Sequence, residues 1–130
     1  MTKPSLALAA VSVAALLGLS APSYASHGGD DDDRVIEVGD CSGGADWKLK
    51  VKTDDGRLEV EGEVDSNQAG QTWSWKIKDN GSVAAKGSST TGGRSGSFSV
   101  ERKIADQAGT DRVTFRAKHS GEVCTGTIAF

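Results

Sequence analysis

The chain has 130 residues with 15 Lys or Arg against 18 Asp or Glu, which gives a formal net charge of −3. This acidic balance excludes a general nucleic-acid binder, because such proteins neutralise phosphates with Lys and Arg. A chain of this length forms one domain with a modest core, since it has only three Trp, three Phe and one Tyr.

Residues 1–25 have the pattern of a secretory signal peptide. Lys3 gives a positive start, residues 6–19 are almost wholly Leu, Ala and Val, and small residues stand at Ser23 and Ala25. The apolar run spans about 14 residues, whereas a helix needs about 20 to cross a bilayer. We therefore expect cleavage after Ala25, secretion of the mature chain and no membrane attachment after cleavage.

Residues 26–34 predict a flexible acidic tail, because two glycines and four consecutive aspartates cannot bury apolar surface. A high-affinity calcium site needs six to eight oxygens in a fixed arrangement, which such a tail does not supply. The favoured interpretation is a solubilising spacer, and no cofactor is predicted for the chain. The weak candidates for a divalent cation are Asp30, Asp31, Asp32 and Asp33.

Residues 35–130 predict one β-domain, because apolar and polar residues alternate and no window has the spacing of an amphipathic helix. The clearest unit is a hairpin over residues 47–64 that turns at Asp55-Gly56. Its charged residues face each other on one side and its apolar residues lie on the other, so we interpret the charges as a solvated sheet face. The predicted pairs are Lys48 with Glu63, Lys50 with Glu61 and Lys52 with Glu59.

The same alternation predicts five more strands, for a total of seven, with a short edge strand before them at Val35–Val38. We interpret Asn80-Gly81 as a hairpin turn rather than as part of a glycosylation acceptor. The further strands are predicted at residues 71–78, 83–88, 97–104, 111–118 and 123–130. Their predicted inward residues are Trp73, Trp75, Ile77, Phe98, Val100, Ile104, Val113, Phe115 and Ala117.

Cys41 and Cys124 are the only cysteines, and in an oxidising destination a structural disulfide is their predicted use. Closing a loop of about 80 residues stabilises a domain by about 4 kcal/mol in the chain-entropy model. A reactive dithiol or a metal site would need a close Cys-x-x-Cys spacing or further ligands, and the sequence has neither.

Seven strands in about 85 residues, with a corner before the sixth, resemble an immunoglobulin-like or fibronectin-like antiparallel β-sandwich. The segment Ala-Gly-Thr-Asp-Arg-Val-Thr at 108–114 resembles the corner and sixth strand of bacterial immunoglobulin-like repeats. Asp111 stands where antibody-type domains usually have a tyrosine, and a core-spanning cysteine pair is absent. The layout implies instead that the bridge between Cys41 and Cys124 fastens an edge of the sandwich.

A second resemblance covers the whole mature region. In chain order it rests on Cys41, Trp-Lys-Leu-Lys at 47–50, Asp-Gly-Arg-Leu-Glu-Val at 55–60, Gly-Gln-Thr-Trp at 70–73, Ser-Gly-Ser-Phe at 95–98 and Cys124. This succession is similar to a group of small exported actinobacterial proteins of unassigned function. The resemblance implies export and fold, and it adds nothing about chemistry.

The sequence has no arrangement of residues that is typical of catalysis. His27 falls in the tail and His119 in a predicted hairpin turn, and neither stands near a recognisable nucleophile. We therefore predict that the protein is not an enzyme. We expect a monomeric, non-catalytic secreted binding or interaction module whose partner the sequence does not name. The alternatives are a structural or envelope-associated protein without a specific ligand, and a small-ligand carrier.

The candidate contact surface is a basic face. The third and sixth strands of an immunoglobulin-like sandwich are neighbours, which brings their outward residues together. No carboxylate alternates with the basic residues on these strands, so we expect the face to be locally basic. A solvated face without a ligand is the favoured interpretation, and contact with an anionic glycan or cell-wall polymer is the functional alternative. The candidate residues are Lys76, Lys78, Arg112, Arg116 and Lys118.

Overall fold

The computed structural model describes residues 33–130, which form eight antiparallel strands and, within that range, no helix. The predicted signal peptide and most of the predicted acidic tail, including Asp30, Asp31 and Asp32, lie outside the described residues. The strands are β1 (Arg34–Asp40), β2 (Asp46–Asp54), β3 (Arg57–Asp65), β4 (Thr72–Asp79), β5 (Ser82–Thr90), β6 (Ser97–Ala105), β7 (Arg112–His119) and β8 (Glu122–Ala129).

The strands form two four-stranded sheets, which confirms an all-β sandwich. Sheet 1 has the order β1-β2-β3-β6 and sheet 2 has the order β5-β4-β7-β8. Strands β2 to β8 correspond to the seven strands of an immunoglobulin-like sandwich. In this arrangement β5, the fourth of the seven, lies in the same sheet as β4, β7 and β8. The edge strand predicted before these seven is also present and is longer than predicted, since β1 runs from Arg34 to Asp40 and pairs along its whole length with β2.

The predicted β2–β3 hairpin is confirmed in its register. Asp55 has φ 53° and Gly56 has φ 78°, the left-handed pair that a two-residue type I′ turn requires. Each outward lysine of β2 lies opposite a glutamate of β3. Two of these pairs form ion pairs: Lys50 Nζ lies 3.1 Å from Glu61 Oε1, and Lys52 Nζ lies 3.8 Å from Glu59 Oε1.

The core lies between the two sheets, and every residue predicted to face inward on β4, β6 and β7 is buried. Gly62 of β3 makes room for the largest ring of β7, because a Cβ at this position would lie 2.5 Å from the Phe115 ring. Gly126 of β8 likewise faces the Trp47 ring, which is partly buried against the core. Aromatic side chains thus fill the gap opposite glycines on the facing sheet.

The disulfide between Cys41 and Cys124 is present. Cys41 lies in the β1–β2 loop of sheet 1 and Cys124 lies in β8, the edge strand of sheet 2, so the bridge joins the two sheets at one edge. The same loop is held by Glu122, whose Oε2 accepts hydrogen bonds from the Gly43 N–H (3.0 Å) and the Ala45 N–H (2.8 Å).

Candidate functional site

The outer face of sheet 2 carries all five basic residues that the sequence analysis proposed as a contact surface. Strands β4 and β7 are neighbours, and Lys76 lies directly opposite Arg116. On the other side of β4, Lys76 lies opposite Lys86 of β5. Lys86, Lys76 and Arg116 therefore form a line across three adjacent strands, which we call the basic row. All three side chains are exposed.

The basic row is an arrangement of like charges at close range. Directly opposite residues of an antiparallel pair have Cβ atoms about 4.5–5.5 Å apart, and like charges in these positions destabilise a sheet. Among residues 33–130, the ion pairs join Lys50 to Glu61, Lys52 to Glu59 and Lys103 to Asp54, all on sheet 1. None of these pairs neutralises the basic row.

An open concavity of about 410 Å³ lies over the basic row. Its volume falls within the range of small-ligand sites, and its lining is mainly cationic. Two serines, Ser74 and Ser88, add hydroxyl groups that can donate or accept hydrogen bonds. The basic side chains that line it are Lys76, Lys78, Lys86, Arg116 and Lys118.

Four of the five predicted residues thus meet at the concavity, and Arg112 does not. Arg112 lies on the same outer face but four residues before Arg116, which along a strand is about 13 Å. Its N–H donates a hydrogen bond to Asn80 Oδ1 at 2.8 Å, which fixes it beside the β4–β5 turn. Arg112 is therefore excluded from the central site.

Lys86 is the residue that sequence reasoning missed. The turn at Asn80-Gly81 pairs Asp79 with Ser82, and continuing that register would place Lys86 opposite Trp75. The structure has a β-bulge between Ile77 and Lys78 that shifts the pairing by one residue. Because a one-residue shift moves a side chain to the other face of a sheet, Lys86 lies opposite Lys76 on the outer face.

His119 has a structural explanation in the described part of the chain. Its Nδ1 lies 2.8 Å from the carbonyl oxygen of Thr72, so this nitrogen carries the proton and donates it. The ring also stacks on Trp73, with centroids 5.4 Å apart. Both interactions fix the ring at the end of β7 and orient it against the core.

A second concavity of about 410 Å³ lies on sheet 1 beside Trp47 and has the opposite charge. Asp40, Asp46 and Asp65 lie directly opposite one another across β1, β2 and β3 and line this concavity. In residues 33–130, no three His, Cys, Asp or Glu side chains are already arranged to hold a metal ion. The same residues contain no helix long and apolar enough to cross a membrane.

Comparisons with profiles of protein families, with curated proteins and with solved structures find no match for this chain. The similarity to small exported actinobacterial proteins and the export of the chain therefore stay predictions from the sequence. The disulfide and the all-β sandwich stand on the structure alone.

Proposed function

We propose that the protein is a non-catalytic secreted binding module whose basic face contacts an anionic polymer, such as a glycan or a cell-wall polymer. The observation that carries the proposal is the basic row itself. Lys86, Lys76 and Arg116 lie opposite one another without a carboxylate between them, on a chain whose overall charge is negative.

The basic row spans about 10 Å, because adjacent strands of a sheet lie about 4.7–4.9 Å apart. A polymer with repeating anionic groups can place more than one of them within reach of such a row. The flanking Lys78 and Lys118 widen the positive surface along the strands. A ligand that neutralises these charges also relieves their mutual repulsion, so the row gains more from an anionic partner than an isolated lysine does.

Export is supported by two independent features. The sequence has a signal-peptide pattern, and the structure has a disulfide of the kind that persists in oxidising environments. Electrostatic attraction to the exposed face is screened over about 8 Å at physiological salt, so binding to a polymer should fall as salt is raised.

The test is binding of the secreted chain to poly(glycerol phosphate) and to polygalacturonate, with a neutral glucan as the reference, at low and at high salt. The variant replaces the basic row with serine: Lys76→Ser, Lys86→Ser and Arg116→Ser. A matched control removes the same charge from sheet 1: Lys50→Ser, Lys52→Ser and Lys103→Ser. We expect the first variant to lose binding and the control to keep it.

Two results would contradict the proposal. Equal loss in both triple variants would show that net charge, and not the basic face, governs the attraction. Binding that is indifferent to salt, or equally strong for the neutral glucan, would exclude an electrostatic contact with an anionic polymer. Either result would leave the structural role without a specific ligand as the better explanation.

A further inference from the structure

Two buried carboxyl groups meet at the end of the sandwich that carries the β4–β5 turn. Asp79 ends β4 and is 4% exposed, and Asp111 precedes β7 and is 1% exposed. Three of their four side-chain oxygens have no hydrogen-bond partner among the described residues: both oxygens of Asp79 and Oδ1 of Asp111. The fourth, Asp111 Oδ2, accepts one bond from the Gln107 N–H at 3.2 Å.

The backbone holds both aspartates in place. The Asn80 N–H donates to the Arg112 carbonyl at 2.9 Å, and the Arg112 N–H donates to Asn80 Oδ1 at 2.8 Å. Asp111 exchanges two backbone hydrogen bonds with Phe130, at 3.1 and 2.8 Å. These hydrogen bonds fix the main chain next to both carboxyl groups.

Buried carboxylates without partners are costly, because their hydration is lost and nothing replaces it. Burial, the neighbouring Asp111 carboxyl group and the charge of Asp106 together raise the pKa of Asp79 from 3.8 to about 6, and burial is the largest of these causes. The pKa of Asp106, in the β6–β7 loop, is raised by desolvation and then by Asp111. The three acids thus interact with one another. A proton or a cation bound by Asp79 and Asp111 relieves the repulsion between their carboxyl groups.

We propose that Asp79 and Asp111 bind one divalent metal ion, with calcium as the natural occupant in an exported protein. The donors are carboxylate oxygens without His or Cys, which is the chemistry that calcium and magnesium prefer. Two carboxyl groups offer at most four oxygens, so water completes the coordination, and Asp106 adds negative charge from the loop. This site is separate from the basic face and does not depend on the ligand proposed there.

Binding at this place would join the β4–β5 turn to the β6–β7 loop. Extracellular calcium modules typically have Kd values of about 10⁻⁴–10⁻³ M. At 10 mM calcium chloride, an affinity in this range raises the Tm of a domain of this size by at least about 5 °C. Magnesium should give a smaller shift, because it loses its water less readily.

The test is thermal unfolding of the secreted chain at pH 7.5 in EDTA, in 10 mM calcium chloride and in sodium chloride of equal ionic strength. The variant is Asp79→Asn, and Asp55→Asn at an exposed turn is the matched control for the loss of one carboxylate. A third variant replaces Asp30, Asp31, Asp32 and Asp33 with asparagine, so that binding by the predicted tail is measured separately. Calorimetric titration with calcium chloride gives a second readout that does not depend on unfolding.

We expect a calcium shift in the wild type, in Asp55→Asn and in the tail variant, and no shift in Asp79→Asn. In EDTA, Asp79→Asn should unfold at a temperature equal to or above that of the wild type, since it removes one of two repelling charges. Absence of a calcium shift in the wild type, an unchanged shift in Asp79→Asn, or loss of the shift in the tail variant would each overturn the proposal. Calorimetric heat that persists in Asp79→Asn would do the same.

Discussion

Each outer face of the sandwich carries a row of charged residues on three adjacent strands. The two rows have the same geometry, but their central residues have opposite charge. On sheet 1, Glu59 of β3 lies between Lys52 of β2 and Lys103 of β6. On sheet 2, Lys76 lies at the centre of the basic row. On sheet 1, Lys52 forms an ion pair with the central Glu59, and Lys103 forms one with Asp54. On sheet 2, a central lysine leaves three cations for solvent or a ligand. Stability favours the first arrangement, so the second is where a binding role is expected.

The largest effect should come from the disulfide, because it joins the sheets that carry the two rows. Replacing Cys41 and Cys124 with serine together should lower the free energy of unfolding by about 4 kcal/mol, since the unfolded chain regains the freedom of a long loop. Urea unfolding followed by Trp fluorescence measures this change. Reduction of the wild-type protein should reproduce it. A change of Tm below about 2 °C would mean that the bridge contributes little.

A second prediction concerns Asp79 and Asp111, which are like charges that are buried, whereas the basic row is exposed. It is a prediction of how stability depends on pH. With calcium removed, Asp79 binds its proton more tightly in the folded state, since its pKa is raised from 3.8 to about 6. The stability that this proton contributes is therefore present below about pH 4 and is lost as pH rises through about 6. The expected loss is of the order of 2–3 kcal/mol.

Unfolding of the wild type and of Asp79→Asn in EDTA between pH 4 and pH 8 measures this loss. The charged groups that act on Asp79 here are Asp111 and Asp106. The difference in stability between the two proteins should change with pH in the stated direction. Parallel pH profiles would show that Asp79 keeps its ordinary pKa.

The smallest effect should come from exchanging the central residues of the two rows. Lys76→Glu places a carboxylate between Lys86 and Arg116 and should stabilise the domain by about 0.5–1 kcal/mol, while it removes binding to anionic polymers. Glu59→Gln should destabilise sheet 1 by a similar amount, because it removes the ion-pair partner of Lys52, while Lys103 keeps its ion pair with Asp54. Denaturant midpoints of both variants at low and high salt measure the two changes. Destabilisation by Lys76→Glu would refute the argument that the basic row lowers stability.

The sequence by itself determined most of the strands, the β2–β3 register and the disulfide. Alternation with a period of two is a local property, and a left-handed turn such as Asp55-Gly56 fixes every pair that follows it along a hairpin. Cys41 and Cys124 had no other cysteine to pair with. The adjacency of β4 and β7 followed from the resemblance to an immunoglobulin-like layout, and the structure has it.

Only the tertiary structure determined which residues form the basic row and that Asp79 and Asp111 are buried. The bulge beside Ile77 inserts one residue into the β4–β5 ladder, and alternation carries no signal for such an insertion, so Lys86 was missed. Asp79 and Asp111 continue the inward positions of Ile77 and Val113, a signal that was present in the sequence. Local patterns assigned them to a turn and a corner, because burial at the end of a strand depends on the loops that fold over it.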